Sequence, residues 1–437
     1  MQLPAMKSLG AGVAVLAIVC GASAGLGRSA WAQDGISGEV SFAWWGSQRR
    51  NEAVMGVVTA YEAAYPEAKI LPQPTDFFNH WDRVTIQAAA GRLPCVPMMQ
   101  TRYQTRYENL GALLALDPLI EEGKIDVSAI PEDVVEGHRS ADGNLYVLPV
   151  GLWFETFQYN WPKLEPTGVE EPANDWTYER YVEWAAQARQ KLDDDVYPLT
   201  QLGGEILQFQ QYAQSRGEDL FEGSEPGFSA ETLADWFKLW DRAREEGLTP
   251  SMPMSAEESG QAVQSFMAQG ITLSRTDGDV TASDLQATLD AAEGGTVRQV
   301  KPPNGNNPLT SGSNSLAISA NCDNVDAAAA FLNFWLNDED AGVEMRSRAG
   351  LTPTATLLEA QAADPASPST LIDRITMYTG FAETYGVNID VWPDNTQHMV
   401  QEFKKLYEQV GFEQMEPEEA ATSFFEEVRR SLEEVNN

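Results

Sequence analysis

Cysteine is nearly absent from this chain of 437 residues, which holds only Cys20, Cys95 and Cys322. No spacing among them matches a metal ribbon or a thiol–disulfide pair, so neither chemistry is written here. Histidine is as scarce, at His80, His138 and His398, and no H-x-x-x-H pair exists to hold zinc. Beyond residue 32 there is no G-x-S-x-G nucleophile elbow, and no G-x-G-x-x-G follows a strand. The acidic stretch "RTDGDVTASD" gathers Asp277, Asp279 and Asp284 but lacks the glycine and closing glutamate of a calcium loop. Positive charge is also short, with 29 Lys and Arg against 65 Asp and Glu, a net charge of −36. Such a surface repels nucleic acid and anionic lipid, and serves solubility first.

Long apolar runs are missing except at the N-terminus. "LGAGVAVLAIVCGASAGLG" follows Lys7 and precedes "SAWAQD", whose small residues Ala30 and Ala32 flank Trp31. This pattern is that of a secretory signal cleaved after Ala32, leaving Gln33 first. Lipid attachment at Cys20 is the rival, although "AIVC" has no small residue before the cysteine. Cleavage removes Lys7 and Arg28 and no acid, so the mature charge becomes −38 (−36 − 2). No later run approaches the ~20 residues of a membrane span. An exported protein is permitted a disulfide, but nothing in the spacing joins Cys95 to Cys322. The expectation is two separate buried thiols.

What the chain does have is alternation and tryptophan. Strands are expected at 38–45, near 69–73 and at 95–100, with helices at 48–65 and 79–91, an α/β pattern built on a largely parallel sheet. "RSADGNLYVLPV" carries an Asp-Gly turn before an apolar stretch. Residues 176–248 read as helical, with Ser229 capping "AETLADWFKLWDRAREEG". The segment 302–313, "PPNGNNPLTSGS", is the richest in turn residues. A strand, "NSLAISAN", and a helix, "VDAAAAFLNFWLND", then return, which suggests two lobes with the chain crossing between them more than once. Of the twelve tryptophans, Trp184, Trp236, Trp240 and Trp335 have helical spacing and read as packing. Trp44, Trp45, Trp153, Trp161 and Trp392 instead fall at element ends, beside Arg, Asp, Asn and Gln. A flat ring against the C–H face of a sugar, with forked polar groups at its hydroxyl rim, is how sugars are held. With so many carboxylates a hydrolytic pair can always be drawn, but nothing singles one out.

Five pieces in chain order carry a resemblance: "FAWWGSQRRNE", "HWDRVTIQAAAGRLPCVPMMQTRYQTRYENLGALLALDPLI", "ADGNLYVLPVGLWFETFQYNWPKLEPTGVEEPANDWTYE", "FQQYAQSRGEDLF" and "SGSNSLAISANCDNVDAAAAFLNFWLND". Over residues 38 to 360 the chain resembles the family 1 extracellular solute-binding proteins of carbohydrate ABC transporters, in the maltodextrin-binding superfamily. The resemblance implies a two-lobed periplasmic-binding-protein fold of type II, each lobe a mixed sheet flanked by helices, joined by a multi-segment hinge. Lobe one would be 33–150 plus 313–350, and lobe two 151–312 plus 351–437. It implies a carbohydrate ligand held between the lobes, delivery to inner-membrane permease subunits, a periplasmic monomer, no cofactor, no metal and no catalysis.

The resemblance also implies site residues. Trp44 and Trp45 would meet the ligand or the opposing lobe, with Gln48 and Arg49 at the rim. Gln100, Arg102 and Tyr103 match a loop that reaches sugar. Trp153 stands where relatives often have a polar contact, a departure from the maltodextrin binders. Arg275 and Asp277 lie where relatives carry an aromatic or a Ser-Asn pair, Trp392 corresponds to a C-terminal cleft tryptophan, and Ser311, Ser313 and Asn314 are hinge or cleft donors. The rival functions are a secreted carbohydrate-active hydrolase or lyase, and a binding protein for a polyol, compatible solute or peptide.

Overall fold

The alternation of Val40 and Phe42 becomes strand β1 (Gly38–Trp45), and Ser47 then caps a helix at Gln48–Ala64 by accepting the Arg50 N–H. Ala43 and Trp45, on the opposite face from Phe42 and Trp44, are buried too. A parallel strand covered by helices on both sides has no solvent face to mark with polar residues. The computed structural model describes residues 35–435, apart from 224, 259–260 and 293. The expected leader, its cleavage site at Ala32 and the alternative at Cys20 lie outside the described residues. Among those described, no helix is long and apolar enough to cross a membrane.

The other strands are β2 (Ala68–Thr75), β3 (Val96–Gln100), β4 (Val147–Asn160), β5 (Phe221–Glu222), β6 (Glu225–Pro226), β7 (Ser274–Gly278), β8 (Val297–Val300), β9 (Leu309–Ala317) and β10 (Val387–Ile389). The main sheet runs β2-β1-β3-β9-β4-β7, with β10 on β9 and β8 on β4, while β5 and β6 form a separate hairpin. The expectation of a largely parallel sheet holds for β1 with β2 and β3, and for β10 with β9. It fails elsewhere. β9 runs antiparallel to β3 and β4, and β4 runs antiparallel to β7 and β8. The expected helices at 176–248 form at Tyr178–Arg189, Ile206–Gln214 and Ala230–Glu245, the last capped by Ser229.

β4 and β9 explain how one sheet serves two lobes. Val147, Leu148, Val150 and Leu152 of β4 join a core built from residues 40–152 and 316–349. Further along the same strand, Phe157 and Tyr159 join a second core, which takes in the helices after residue 176 and those of the C-terminal region. Between them Phe154 packs with Leu309, Leu351 and Phe381 in a small third cluster. A third crossing is Leu351, whose backbone exchanges two hydrogen bonds of 2.7 Å with Leu152. The fold is therefore mixed α/β and two-lobed, with three adjacent segments passing between the cores.

The turn-rich 302–313 segment is only partly a turn. Its last residues, Leu309 to Ser313, are the first half of β9, whose nine residues are all buried. Small residues are needed there because a Cβ on Gly312 would meet the Trp153 ring, as one on Gly151 would meet the Ala349 carbonyl. Close backbone approach, not turn formation, accounts for these glycines.

Cys95 and Cys322 are joined, contrary to the expectation of separate thiols: they form a disulfide with Cα atoms 4.6 Å apart. The β3–β9 pairing makes this so. Ser319 N–H donates to the Cys95 carbonyl at 2.9 Å, and Cys322 N–H turns back onto Ser319 at 3.0 Å. The bond closes a separation of 227 residues, so it restrains a large loop of the unfolded chain. Replacing both cysteines with alanine is expected to lower the unfolding free energy by about 2–4 kcal/mol. Urea denaturation under oxidising conditions measures this, and a loss under ~1 kcal/mol would contradict the link's stabilising role.

Candidate functional site

The described structure holds a cleft of about 390 Å³ where the C-terminal ends of β1 and β3 face the middle of β4, β7 and the start of helix Ile206–Gln214. Open α/β sheets leave such a crevice at their carboxyl edges. Strand periodicity aims the groups: Trp153 and Glu155 share one face of β4, and Arg275 and Asp277 share one face of β7. Pairing places Thr156 opposite Asp277, Gln158 opposite Arg275 and Gln100 opposite Asn314, so the β7 pair lies on the Thr156 face of β4 at the sheet edge, across from Trp153 and Glu155.

Seven of the expected site residues line this cleft together: Trp45, Gln100, Arg102, Trp153, Arg275, Asp277 and Asn314. Trp45 is only 5% exposed, wedged against Phe77, His80 and Trp81 with ring centroids 5.7, 4.9 and 5.4 Å away. It offers one edge to the cleft and the rest to the core. Gln48 and Arg49 are exposed at an adjoining mouth that shares Trp45, Arg50 and Phe77 with the cleft.

The other five expected residues do not line the cleft. Trp44 is fully buried, stacked on Phe42 at 4.7 Å with its Nε1–H on Asn51, because its side of β1 faces the core. Tyr103 turns from the cleft to stack on Trp81 at 3.9 Å. Ser311 and Ser313 are enclosed by the sheet, donating to the Trp153 carbonyl and meeting His138 Nε2 at 2.6 Å, respectively. Trp392 is buried, its Nε1–H donating to Asp390 at 2.8 Å.

Trp392 still acts on the site from behind. The Arg102 guanidinium lies 5.3 Å from the Trp153 ring centroid and 5.9 Å from that of Trp392, a cation held between two aromatic faces. Among the described residues its Nε has no hydrogen-bond partner, nor do Trp153 Nε1, Gln100 Oε1 and Arg275 Nη1. Buried donors and acceptors are nearly always satisfied, so the concentration of unmet groups beside one cleft is notable.

The carboxyl groups are unusual as well. Burial, reinforced by Asp277 and opposed by Arg102, pushes Glu155 well above the ordinary range, and it accepts from Gln208 at 2.7 Å. Burial likewise raises Glu258 to about 7, against the pull of the Phe266 N–H. Arg275 pairs with Asp277, which also accepts the Gly278 N–H. Burial lowers Arg50 to about 10, and its Nε–H donates to the Arg348 carbonyl at 3.2 Å.

Glu258 carries a prediction. Its folded-state value lies above the 4.5 of a free carboxyl, so the folded chain keeps a proton that the unfolded chain releases. Stability therefore falls as pH rises from about 4.5 to about 7. Urea midpoints at pH 5 and 7.5 are expected to differ less in Glu258→Gln than in the parent, and an unchanged difference would refute the assignment.

Sequence reasoning missed Arg50, Phe77, Glu155, Glu205, Gln208 and Glu258, all of which line the cleft. Two carried a signal. Phe77 starts a helix at the end of β2, capped by Asp76, as Trp45 precedes the helix capped by Ser47. Glu155 follows Trp153 by two on a strand. Among the described residues, no group of three His, Cys, Asp or Glu side chains is placed to hold a metal.

The model of a family described as bacterial extracellular solute-binding protein matches residues 45–342. Solved structures of similar fold include an ABC substrate-binding protein from Listeria monocytogenes in complex with cycloalternan, at 18% identity and TM-score 0.76, covering 90% of this chain and 99% of that one. A periplasmic oligogalacturonide-binding protein from Yersinia enterocolitica, with saturated digalacturonic acid, gives 17% and 0.76 over 91% and 100%. The GacH receptor of Streptomyces glaucescens, studied unliganded and with acarbose, gives 17% and 0.75 over 91% and 99%.

Proposed function

We propose that this chain, which belongs to the bacterial extracellular solute-binding protein family, binds a sugar or oligosaccharide in the cleft and delivers it to an ABC permease. The observation that carries the reading is the lining itself. Trp45, Phe77 and Trp153 offer aromatic surface beside Gln100, Arg102, Asn314, Glu155 and Asp277, which offer forked donors and acceptors. An apolar ring face and a hydroxyl rim need both. The cycloalternan, acarbose and digalacturonic acid of the similar structures support the same class.

In this reading the protein binds without turnover, acts in the periplasm as a monomer after loss of its leader, and needs no cofactor. Lobe one is 33–150 with 313–350, and lobe two is 151–312 with 351–437. A ligand touching Gln100 on one side and Arg275 on the other favours the arrangement that brings them together.

One observation favours a second reading. Glu155 and Glu258 face the cleft without forming an ion pair among the described residues. A ligand bearing an ammonium or quaternary ammonium group would meet them and stack on Trp153. A thermal-shift screen of the mature protein against neutral sugars, polyols, diamines and betaines separates the two. Ligand at 100 times its dissociation constant adds ~2.7 kcal/mol of stability. Sugars that raise the melting temperature and emerge chemically unchanged are the expected result; a response confined to betaines or diamines would overturn it.

A further inference from the structure

In a chain with more than two acids for each base, five arginines line one cavity of about 310 Å³: Arg49, Arg50, Arg346, Arg348 and Arg374. Among the described residues, the acids that line it with them are Asp284 and Asp290. This cavity shares only Arg50 and Val280 with the cleft itself, and it opens beside the adjoining mouth, with which it also shares Ser47, Arg49, Asp284, Ala287 and Arg348. It lies where the start of helix Gln48–Ala64 and residues 346–348 meet helices Thr281–Ala291 and Ser369–Tyr385.

Several of the arginines have internal acids. Arg49 meets Asp284 at 3.2 Å, Arg346 meets Asp364 at 3.4 Å, and Arg374 meets the buried Asp279 at 2.7 Å. Asp290 accepts from Gln286. Even with Asp279 and Asp364 counted, four carboxylates face five guanidiniums. The donors are not used up: Arg374 is 3% exposed, yet among the described residues its Nη2 has no partner, and Arg346 Nε has none either. A buried guanidinium N–H left unmet is costly, and an oxyanion satisfies it in forked geometry.

The backbone adds to the field. Ser47, the cap of the helix at Gln48–Ala64, and Ser369 and Thr370, which open the helix at Ser369–Tyr385, both line the cavity. Each helix has 17 residues and no acid in its first turn, and the second has no side-chain cap. Two positive helix ends thus face the same space, neither complemented by an acid in its own first turn. At ~30 Å³ per water, the cavity has room for an oxyanion and several waters.

We propose that this cavity binds a small free oxyanion of the phosphate or sulfate kind, at a site separate from the cleft. The anion would bridge helix Gln48–Ala64 to the helices at Thr281–Ala291 and Ser369–Tyr385. Its occupancy would therefore favour the arrangement in which those faces meet, and such a coupling is reciprocal.

The test uses the mature protein with no sugar present, so it stands independently of the ligand screen. Melting temperature is followed against potassium phosphate and potassium sulfate, with potassium chloride at matched ionic strength, and phosphate binding is measured by calorimetry. The expected result is a saturable rise with phosphate and sulfate only. Arg348→Gln, at an exposed position without an ion pair, should weaken phosphate at least fivefold while melting normally in chloride. Arg102→Gln, in the cleft, should leave phosphate affinity unchanged. Equal responses to phosphate and chloride would overturn the proposal. So would a phosphate response that survives Arg348→Gln and vanishes in Arg102→Gln.

Discussion

Replacing Asp279 with alanine is expected to lower the unfolding free energy by about 3–5 kcal/mol, the range for breaking one side of a buried ion pair. Asp279 is 0% exposed and Arg374 3%. One carboxylate oxygen accepts from Arg374 Nε at 2.7 Å and the other from the Phe154 N–H at 3.2 Å. Alanine strands a buried guanidinium and a buried amide together, beside the strand that passes between the cores. Asp284→Ala is the contrast. Its partner Arg49 is 57% exposed in its side chain, and solvent screening holds that loss to about 1 kcal/mol or less. Urea unfolding of both variants gives the comparison, and equal losses would contradict the account of the Asp279 pair.

The second large effect concerns binding. Arg102→Ala is expected to weaken the best sugar from the screen by about 10- to 100-fold, since a hydrogen bond to a charged group contributes about 1.5–3 kcal/mol. Arg102 is pre-positioned between Trp153 and Trp392, so little side-chain freedom is lost when ligand arrives. Arg102→Lys should recover only part of the affinity, because an ammonium has neither the planar fork nor the stacking face. Calorimetry decides it. A change under threefold in Arg102→Ala would remove Arg102 from the site.

Much of the fold could be read from periodicity. The expected strands and helices through residue 100 correspond to those observed, with shifted ends. Antiparallel pairing could not be read, because β9 is buried along its length and β4 everywhere but at Trp153 and Glu155, and a strand buried on both faces has no alternation to show how it pairs. The disulfide was hidden for a related reason, since only the register of β3 against β9 brings Cys95 to Cys322. In the site, element ends were a good guide and neighbours on one strand were not separated. Trp45 reaches the cleft, whereas Trp44 is turned into the core by the same alternation that marks the strand. Arg102 was legible from the loop after β3, but its aromatic sandwich joins residues 51 and 290 positions away in sequence. Glu258 carried no local signal at all; its carboxylate accepts the Phe266 N–H where the chain folds back beside the cleft.

The most direct test of the central claim is a crystal structure of the mature protein with the sugar that raises its melting temperature most. The account predicts the sugar in the cleft, one face against Trp153 or Trp45, with hydroxyls on Arg102, Gln100 and Asn314 on one side and on Asp277 or Glu155 on the other. A sugar bound elsewhere on the surface, with the cleft unchanged, would contradict it.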